Sequence, residues 1–546
     1  DAYTLAGGTF TGTGTINGNL DNKGNLVPGL TADTQNLFST TLAGTQGAGT
    51  NATATGTANS TAVGTLTVKG DLNSTGKFTI AVNGANNSKL NVKGTSTITG
   101  TKLDLDNNAP PILHHQYNYL ISQGGIVGNV TSGNASPYVT LQTTVSGTKG
   151  YFSTDKNATS LGSLPGMTSS ENSVGNALNS RVLNALTNDP AANSATTNKL
   201  NNVLFQNENT SRLFTKQITS EARAQLLNQS PMSSLTNETV YSRLDTVDFS
   251  GNLGVTTQVA SLDGEAPQVK TSVPLALDAT NNVWLKLFRG YENYTYSDDL
   301  ENKSFGGAIG YDHALNLNTR LGGLISYGVT NYSTDNVNGD SYDWRVGVYG
   351  DHKNGDWEYQ ALATYGRNRY DLDRFVTWEG TKTNSEYKAK VWDGEVKARY
   401  FLPSTQNKTW QVKPYGKLSY THSKQDAYAE TGKSIFRQTL NSASNNSWRG
   451  EVGVELNCNL TKQSSWGGSI GYKRILSGLN PELNGTFVGD TNSFSIRGDN
   501  DRNYITYSLN TRGSLGGKWM GQAEFRGEAS GHTHKEIVSV IAKYSF

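Results

Sequence analysis

The chain has 546 residues, 60 of them Gly, with 35% apolar and 9% aromatic residues, a net charge of +1 and a mean hydropathy of −0.52. Two or three domains fit that length, and a composition rich in Thr, Asn, Ser and Gly suits all-β architecture with many turns. Near-neutral charge gives no general case for nucleic acid, and the single Cys458 excludes a disulfide framework or a Cys-based zinc site.

The chain opens at Asp1 without a basic and then apolar leader, as a processed or truncated chain would. Residues 1 to about 165 are poor in charge and carry short alternating patches, Leu66/Val68, Phe78/Ile80/Val82, Leu90/Val92 and Leu103/Leu105. Gly70, Gly76, Gly84, Gly94 and Gly100 separate them. Regular short strands between turn residues fit a sandwich or a β-solenoid. Low charge and the lack of helical pattern favour the solenoid, in which each coil covers its neighbour's apolar face. The alternation is too regular for a polar linker.

Residues 169–247 change period. Val174, Leu178, Val182 and Leu186 form one helical face, and Phe214, Ile218, Ala222 and Leu226 another. Pro190 and Pro231 interrupt the pattern, and Thr236 can cap a last helix running through Leu244. Residues 248–282, with Pro267 and Pro274, read as an irregular linker.

From Val283 to Phe546 the period becomes two. Trp392, Gly394, Val396, Ala398 and Tyr400 alternate with Asp393, Glu395, Lys397 and Arg399, and Trp448, Val452, Val454 and Leu456 with Arg449, Glu451, Glu455 and Asn457. Such segments, each oily on one face and ending in Trp or Tyr, suit an outer-membrane barrel. Twelve strands are expected, near 283–296, 304–315, 319–331, 341–353, 356–369, 387–401, 409–424, 446–460, 464–475, 503–512, 517–529 and 536–546. Tight turns are expected at Leu317-Asn318, Asn354-Gly355, Thr461-Lys462 and 513–516. Longer loops are expected at 332–340, 370–386, 425–445 and 476–502. Short turns on one side and long loops on the other are what a membrane barrel has, and the first strand then runs outward. In the last strand Val538, Val540, Ala542, Tyr544 and Phe546 share a face, like the tail that outer-membrane assembly machinery reads.

Twelve strands leave a lumen wide enough for one helix of about 10–12 Å. The helix expected there is 236–247, with 211–229 competing, and packing of the helices outside as a bundle stays open. Glu395, Lys397, Arg399 and Glu451 are expected to keep the lumen polar rather than to grip a helix.

These residues resemble the monomeric autotransporter family of type V secretion. The passenger end is similar to a pertactin-type β-helix in Gly64–Val68, Gly76–Phe78, Ser88–Val92, Tyr117–Ile121 and Gly12–Asn19 with Pro28-Gly29. Thr219–Ala222 matches the stretch before the family's barrel, and Val283-Trp284 and Gly306–Asp312 its opening strands. The resemblance implies a mainly β chain. A right-handed β-helical passenger stub with an autochaperone region fills 1–165, a helical linker with a pore helix fills 166–282, and a 12-stranded antiparallel transmembrane β-barrel fills 283–546. It also implies an outer-membrane monomer that displays residues 1–165 on the cell surface. Its partners would be outer-membrane lipid, barrel-assembly machinery, periplasmic chaperones and a ligand on a host or cell surface, with no nucleic acid. Vectorial folding of the passenger outside would help drive export, since each coil buries apolar surface at about 25 cal/mol per Å². Neither Asn201-Asn202 nor Asn281-Asn282 stands in the context of the family's self-cleavage motif, so attachment of the passenger is expected.

No catalytic residue, cofactor or metal is expected. Gly339-Asp340-Ser341 resembles an esterase block but sits at the start of a barrel strand, and His114-His115 lie beside Pro110-Pro111 without a nucleophile signature. Arg497-Gly498-Asp499 lies in the 476–502 loop, where it reads as a weak cell-attachment site or as plain turn chemistry. Three functions therefore compete: export of an adhesin stem, export of an enzyme whose catalytic part lies upstream, and a porin-like channel with an appendage.

Overall fold

The computed structural model describes residues 1–29, 43–44, 63–106, 110–228, 231–250, 281–296, 298–316, 318–403, 410–461 and 464–546. They form two compact units, Asp1–Met167 with Gly175–Thr215, and Thr168–Val174 with Lys216–Phe546. Most of the linker expected over 248–282, including Pro267 and Pro274, lies outside the described residues, as do Leu317 and Lys462 of two expected turns.

In the first unit short strands stack in parallel into three sheets, which is a solenoid and not a sandwich. Leu20 lies beside Leu72, Leu26 beside Phe78 and then Leu103, and Leu66 beside Leu90 and then Leu120. All of them are buried in one core. The spacing of about a dozen residues separates strands of different sheets within one coil, whereas the stacked pair Leu66 and Leu90 is 24 residues apart. Glycines mark the corners. A Cβ on Gly94 would stand 2.8 Å from the Gly70 carbonyl carbon and one on Gly124 2.7 Å from that of Gly94, so the corners stack backbone on backbone. Inside, the buried Asn22 donates to Ser74 Oγ at 2.9 Å. The stack ends where Lys149–Lys156 pairs antiparallel with Tyr117–Ser122 and with Val139–Ser146. Phe152 stacks on Tyr117 there at 4.9 Å, and the hairpin covers the edge of the last coil. Three helices follow: α1 (Ser169–Asn188), α2 (Ala195–Leu204, capped by the Ser194 side chain) and α3 (Glu208–Thr219).

The second unit is a closed barrel. Its twelve strands among the described residues are Asn281–Thr295, Asp299–Asn316, Thr319–Ser333, Val337–Asn354, Trp357–Val376, Thr381–Tyr400, Trp410–Gln425, Ala443–Asn459, Ser464–Ser477, Asn503–Gly516, Trp519–Ala529 and Thr533–Ser545. Each pairs antiparallel with the next, and the first pairs with the last from Asn282↔Ser545 to Tyr294↔Thr533, so no edge is left open. Each expected strand is present. Polarity is inverted relative to a water-soluble protein. Outward-facing Val348 is 65% exposed and Ile470 63%, while inward-facing Arg345 and Arg399 are 0% exposed. Aromatic pairs ring both ends of this oily band, with Tyr365–Trp392 at 4.3 Å and Tyr420–Trp448 at 4.8 Å toward one end. Trp357–Tyr400 and Trp519–Tyr544, both at 5.0 Å, lie toward the other. That is the surface of a lipid-embedded cylinder.

At the end holding both barrel termini, Asn354–Trp357 and Gly516–Trp519 are tight hairpins, and Gly355 takes the left-handed conformation (φ 60°) that such a turn requires. The opposite end differs from expectation. The loops expected at 332–340 and 370–386 are mostly strand, because pairing continues through Tyr332↔Gly339 and on to Val376↔Thr381. These extensions carry Asp, Arg, Asn and Tyr where they leave the oily band, so the apolar alternation fades while the backbone ladder continues. The 425–445 and 476–502 connections contain a small antiparallel sheet of Tyr428–Ala429, Gln438–Leu440, Glu482–Phe487 and Ser493–Arg497.

Replacing Phe78 by Ala should destabilise the solenoid by about 3–5 kcal/mol, because a fully buried ring between stacked Leu26 and Leu103 leaves a cavity. Pulse proteolysis in urea would show a lower midpoint for the N-terminal region, with the barrel unaffected.

Candidate functional site

A helix occupies the barrel lumen. α5 spans Pro231–Ser250, and its 20 residues reach about 30 Å, the depth of a bilayer core. It begins five residues before the expected Thr236, because Pro231 starts the helix instead of breaking it. Proline needs no partner for its missing N–H at a first helical position. Thr236 is interior and shares a hydrogen bond with Ser326 Oγ at 2.9 Å. The competing segment 211–229 is not one helix: α3 ends at Thr219, Ser220 turns through φ 46°, and α4 (Ala222–Asn228) begins anew.

One side of α5 is gripped by apolar packing. Met232, Leu235, Val240 and Leu244 join Trp284, Phe288, Leu324 and Leu362 of the early strands and Ile537 and Ile541 of the last. Glycines make the room. A Cβ on Gly328 would fall 2.3 Å from Met232 Cε, one on Gly306 2.9 Å from it, and one on Gly290 3.3 Å from Leu235. Gly306 and Gly328 are direct cross-strand neighbours, so the wall has a shallow slot facing the helix.

Toward the end of tight hairpins a buried cluster locks the helix. Arg243 donates twice to Asp312, at 2.8 Å each, and Arg320 donates to the same carboxylate at 2.7 Å. Asn282 and Tyr349 complete its shell at 3.1 and 2.9 Å, and Trp284 Nε1 donates to Tyr349 Oη at 2.7 Å. A carboxylate satisfied by two guanidiniums is a strong, geometrically specific contact, and removing one partner from such a buried set leaves an expensive charge.

The other side of α5 is polar. Asn237 donates to Glu395 at 3.1 Å, Asp245 meets Arg399 at 2.6 Å, and Glu238 meets Arg526 at 2.6 Å and Lys417 at 3.4 Å. Lys397 lies 5.3 Å from the Tyr241 ring centre, and Glu451 pairs with Lys417 at 2.9 Å. Glu395, Lys397 and Arg399 therefore do contact the helix, contrary to the simpler role expected of them. Glu451 reaches it through Lys417. Two polar cavities of about 100 and 50 Å³ remain on this side, both bounded by Ser234, Glu238, Lys417, Glu451, Glu528 and Lys535.

Beyond the lumen, α4 fills the mouth at the loop end. Arg223 donates to Glu430 at 3.2 Å and to Gln438 at 2.7 Å, and Arg374 donates to Glu430 at 2.8 Å. Burial pushes the Glu430 carboxyl up, but Arg374 and Arg223 outweigh it and hold it below the usual range. Asp298, in the first loop, accepts from the Ala222 N–H at 3.1 Å with Lys216 at 4.0 Å. There desolvation wins and raises its pKa from 3.8 to about 6.

Of the sequence-singled residues, Val538, Val540, Ala542 and Tyr544 face outward along the last strand, and Phe546 is exposed just beyond it. Gly498 of Arg497-Gly498-Asp499 is buried against Gln225, whose side chain donates to Asp499 O at 3.1 Å, while Arg497 and Asp499 are exposed. Ser341 of the Gly339-Asp340-Ser341 block is buried and bonded to Tyr332 Oη at 3.0 Å, inside a strand. His114 pairs with Asp155 at 2.6 Å on the solenoid surface. Asn201 lies in α2 and donates to Pro111 O, and Asn281-Asn282 open the first barrel strand. The Asp312 cluster and the glycine slot escaped the sequence reading. Gly290, Gly306 and Gly328 at inward positions of successive strands were the available signal.

The autotransporter beta-domain family matches residues 283–526. The translocator domain of NalP from Neisseria meningitidis is 19% identical, covering 50% of this chain and 90% of that one, with a TM-score of 0.43. For the transport unit of AIDA-I from Escherichia coli the figures are 13%, 56% and 98%, with a TM-score of 0.33. An extracellular serine protease of Serratia marcescens is 26% identical over 161 residues, and the chain spans 15% of its length.

Two measurements test the lumen. Arg243→Met should loosen α5 by about 3–5 kcal/mol, and Gly328→Leu by about 1–3 kcal/mol through overpacking of the slot. Both should raise single-channel conductance in planar bilayers above that of the parent, and conductance equal to the parent's would show that α5 does not close the lumen. At the mouth, Asp298 binds a proton on folding, so the α4 contact gains up to about 2–3 kcal/mol as pH falls from above 6 toward 4. Hydrogen exchange of residues 222–228, corrected for intrinsic rates, should be slower at pH 5 than at pH 8, and Asp298→Asn should flatten the difference.

Proposed function

We propose, taking as premise that residues 283–526 are an autotransporter β-domain, that this chain exports its own N-terminal region through the outer membrane and holds it at the cell surface. One observation carries the reading: among the described residues, the helix in the lumen is the element that precedes the first barrel strand. α5 starts at the loop end and finishes near the tight-hairpin end, where Asn281 begins the barrel. Everything before Pro231 is thus connected to the barrel from the loop side. A chain made in the cell reaches that side only by crossing the barrel.

The loop end then faces outward and the tight hairpins face the periplasm. The outward row Val538, Val540, Ala542, Tyr544 and Phe546 serves as the signal for the assembly machinery, because it presents apolar and aromatic groups on the face that first meets lipid. The upstream region crosses unfolded, since a lumen that fits one helix admits no folded coil. Outside, the solenoid grows coil upon coil from its capped C-terminal hairpin, and burial of each coil opposes return. The exported region is an adhesin stem that stays joined to its barrel.

An enzymatic passenger is the second reading, favoured by the similarity to a named serine protease. On that reading the catalytic part precedes residue 1.

Protease treatment of intact cells expressing the chain separates these proposals from a periplasmic or soluble location. Residues 1–165 should be digested and a membrane-protected fragment starting between about 215 and 231 should survive. Protection of the N-terminal region in whole cells would sink surface display. Deleting Phe546 should lower the amount of assembled barrel several-fold, read from the heat-resistant band on a gel.

A further inference from the structure

The net charge of +1 conceals an uneven rim. On three adjacent strands, two to four residues beyond the aromatic ring at the loop end, Arg367 stands directly opposite Lys390, and Lys390 directly opposite Lys424. In the next row Arg369 stands opposite Lys388. All five side chains point outward and are exposed. Like charges directly opposite one another across a ladder are destabilising. Farther out the same strands neutralise their cations: Arg369 meets Glu386 at 3.0 Å and Lys382 meets Asp373 at 2.7 Å. Among the described residues, no carboxylate comes within ion-pair distance of Arg367, Lys388, Lys390 or Lys424. Arg367 Nε instead donates to Tyr365 Oη at 3.0 Å, which holds the guanidinium at the level of the ring.

Below this row, past the Tyr365–Trp392 pair, the outer wall is hollowed. Ala361, Ala363, Ala398, Gly416 and Gly450 line a shallow, open hollow in the outer wall, bordered by Tyr359, Leu418, Val452 and Tyr472. Gly416 is not made necessary by close packing, because a Cβ there would meet nothing within 4 Å. Elsewhere on the same rim acidic outward positions such as Asp340, Glu301 and Glu536 stand among the cations, and Lys303 pairs with Glu301.

We infer that this face is a lipid site: Arg367, Lys390 and Lys424 take the phosphate of a phosphorylated lipid in the outward leaflet, and the hollow beneath takes its acyl chains. The inference rests on the outer-membrane reading above. Its chemistry is charge complementarity at a membrane surface, where each Lys or Arg near anionic headgroups contributes about fivefold in affinity. The headgroup relieves a like-charge row that the protein leaves uncompensated, and the small side chains let acyl chains approach the wall.

The test uses the purified full chain in detergent, with heat-modifiable mobility as the check of folding. It is titrated by native mass spectrometry with hexa-acylated lipid A, phosphatidylcholine and inorganic phosphate. A one-to-one lipid A adduct is expected that excess inorganic phosphate does not displace and phosphatidylcholine does not match. The triple variant Arg367→Gln/Lys390→Gln/Lys424→Gln should weaken it about a hundredfold. The variant Arg289→Gln/Lys303→Gln, which removes cations on the first two strands, should leave it unchanged. Gly416→Leu, which fills the hollow without disturbing the ladder, should weaken the adduct while the headgroup cations stay in place. Undiminished binding in the triple variant would overturn the inference, as would displacement by inorganic phosphate, which would make the row a bare anion site. A chain that forms no heat-modifiable barrel would sink the membrane reading and this inference together.

Discussion

A closed cylinder of strands with an oily outside forces every backbone group into the ladder and every charge into the middle. Once Asn282↔Ser545 through Tyr294↔Thr533 joins the first strand to the last, no donor or acceptor row is left to lipid. The cost moves inside, where Asp312, Arg320, Arg345 and Arg399 are all fully buried or nearly so. Charges taken out of water survive only with partners. The helix is one such partner: Arg243 completes the Asp312 shell and Asp245 meets Arg399. α5 is therefore part of how the barrel satisfies its own interior.

The apolar grip on α5 is one-sided. The early strands and the last hold α5 with apolar contacts fitted to glycine-cut space. The later strands face it with Lys417, Arg526, Glu451 and Glu528 across polar cavities. A wall of alternating charge binds no particular sequence tightly, since any passing segment meets both signs. Apolar packing fixes the helix, whereas the polar wall tolerates whatever else occupies the lumen. Export of a chain of arbitrary sequence and final seating of one chosen helix are opposed demands, and the two walls divide them.

The barrel was legible because its physical signal is local: period-two alternation, terminal aromatics and tight turns such as Asn354-Gly355 each report on neighbouring residues. Strand ends were not legible where Asp340 or Arg369 pairs outside the oily band, since polar residues there neither require nor forbid a strand. The solenoid was legible as β, but its coil length was not, because strands of three sheets interleave along the chain. α5 was the hardest element. Its surroundings are apolar on one flank and charged on the other, so Thr236, Thr239 and Arg243 break any simple stripe, and Pro231 reads as a stop. Inward glycines on strands one to three carried the missing information, but only the register Gly306↔Gly328 brings them together.

Glu238, Arg243 and Asp245 find their partners only when α5 lies in the lumen, yet on the export reading the lumen must first pass everything upstream. Before seating, Asp312 keeps Arg320 and Asn282, and Arg399 keeps Glu358 and Glu455. The empty barrel is then wet, and those charges are partly satisfied without the helix. Seating exchanges water for Arg243, Asp245 and a set of apolar contacts, and each of these belongs to the final segment alone. On the export reading α5 seats once the upstream chain has cleared the lumen, and the glycine-lined packing that then holds it needs no separate latch.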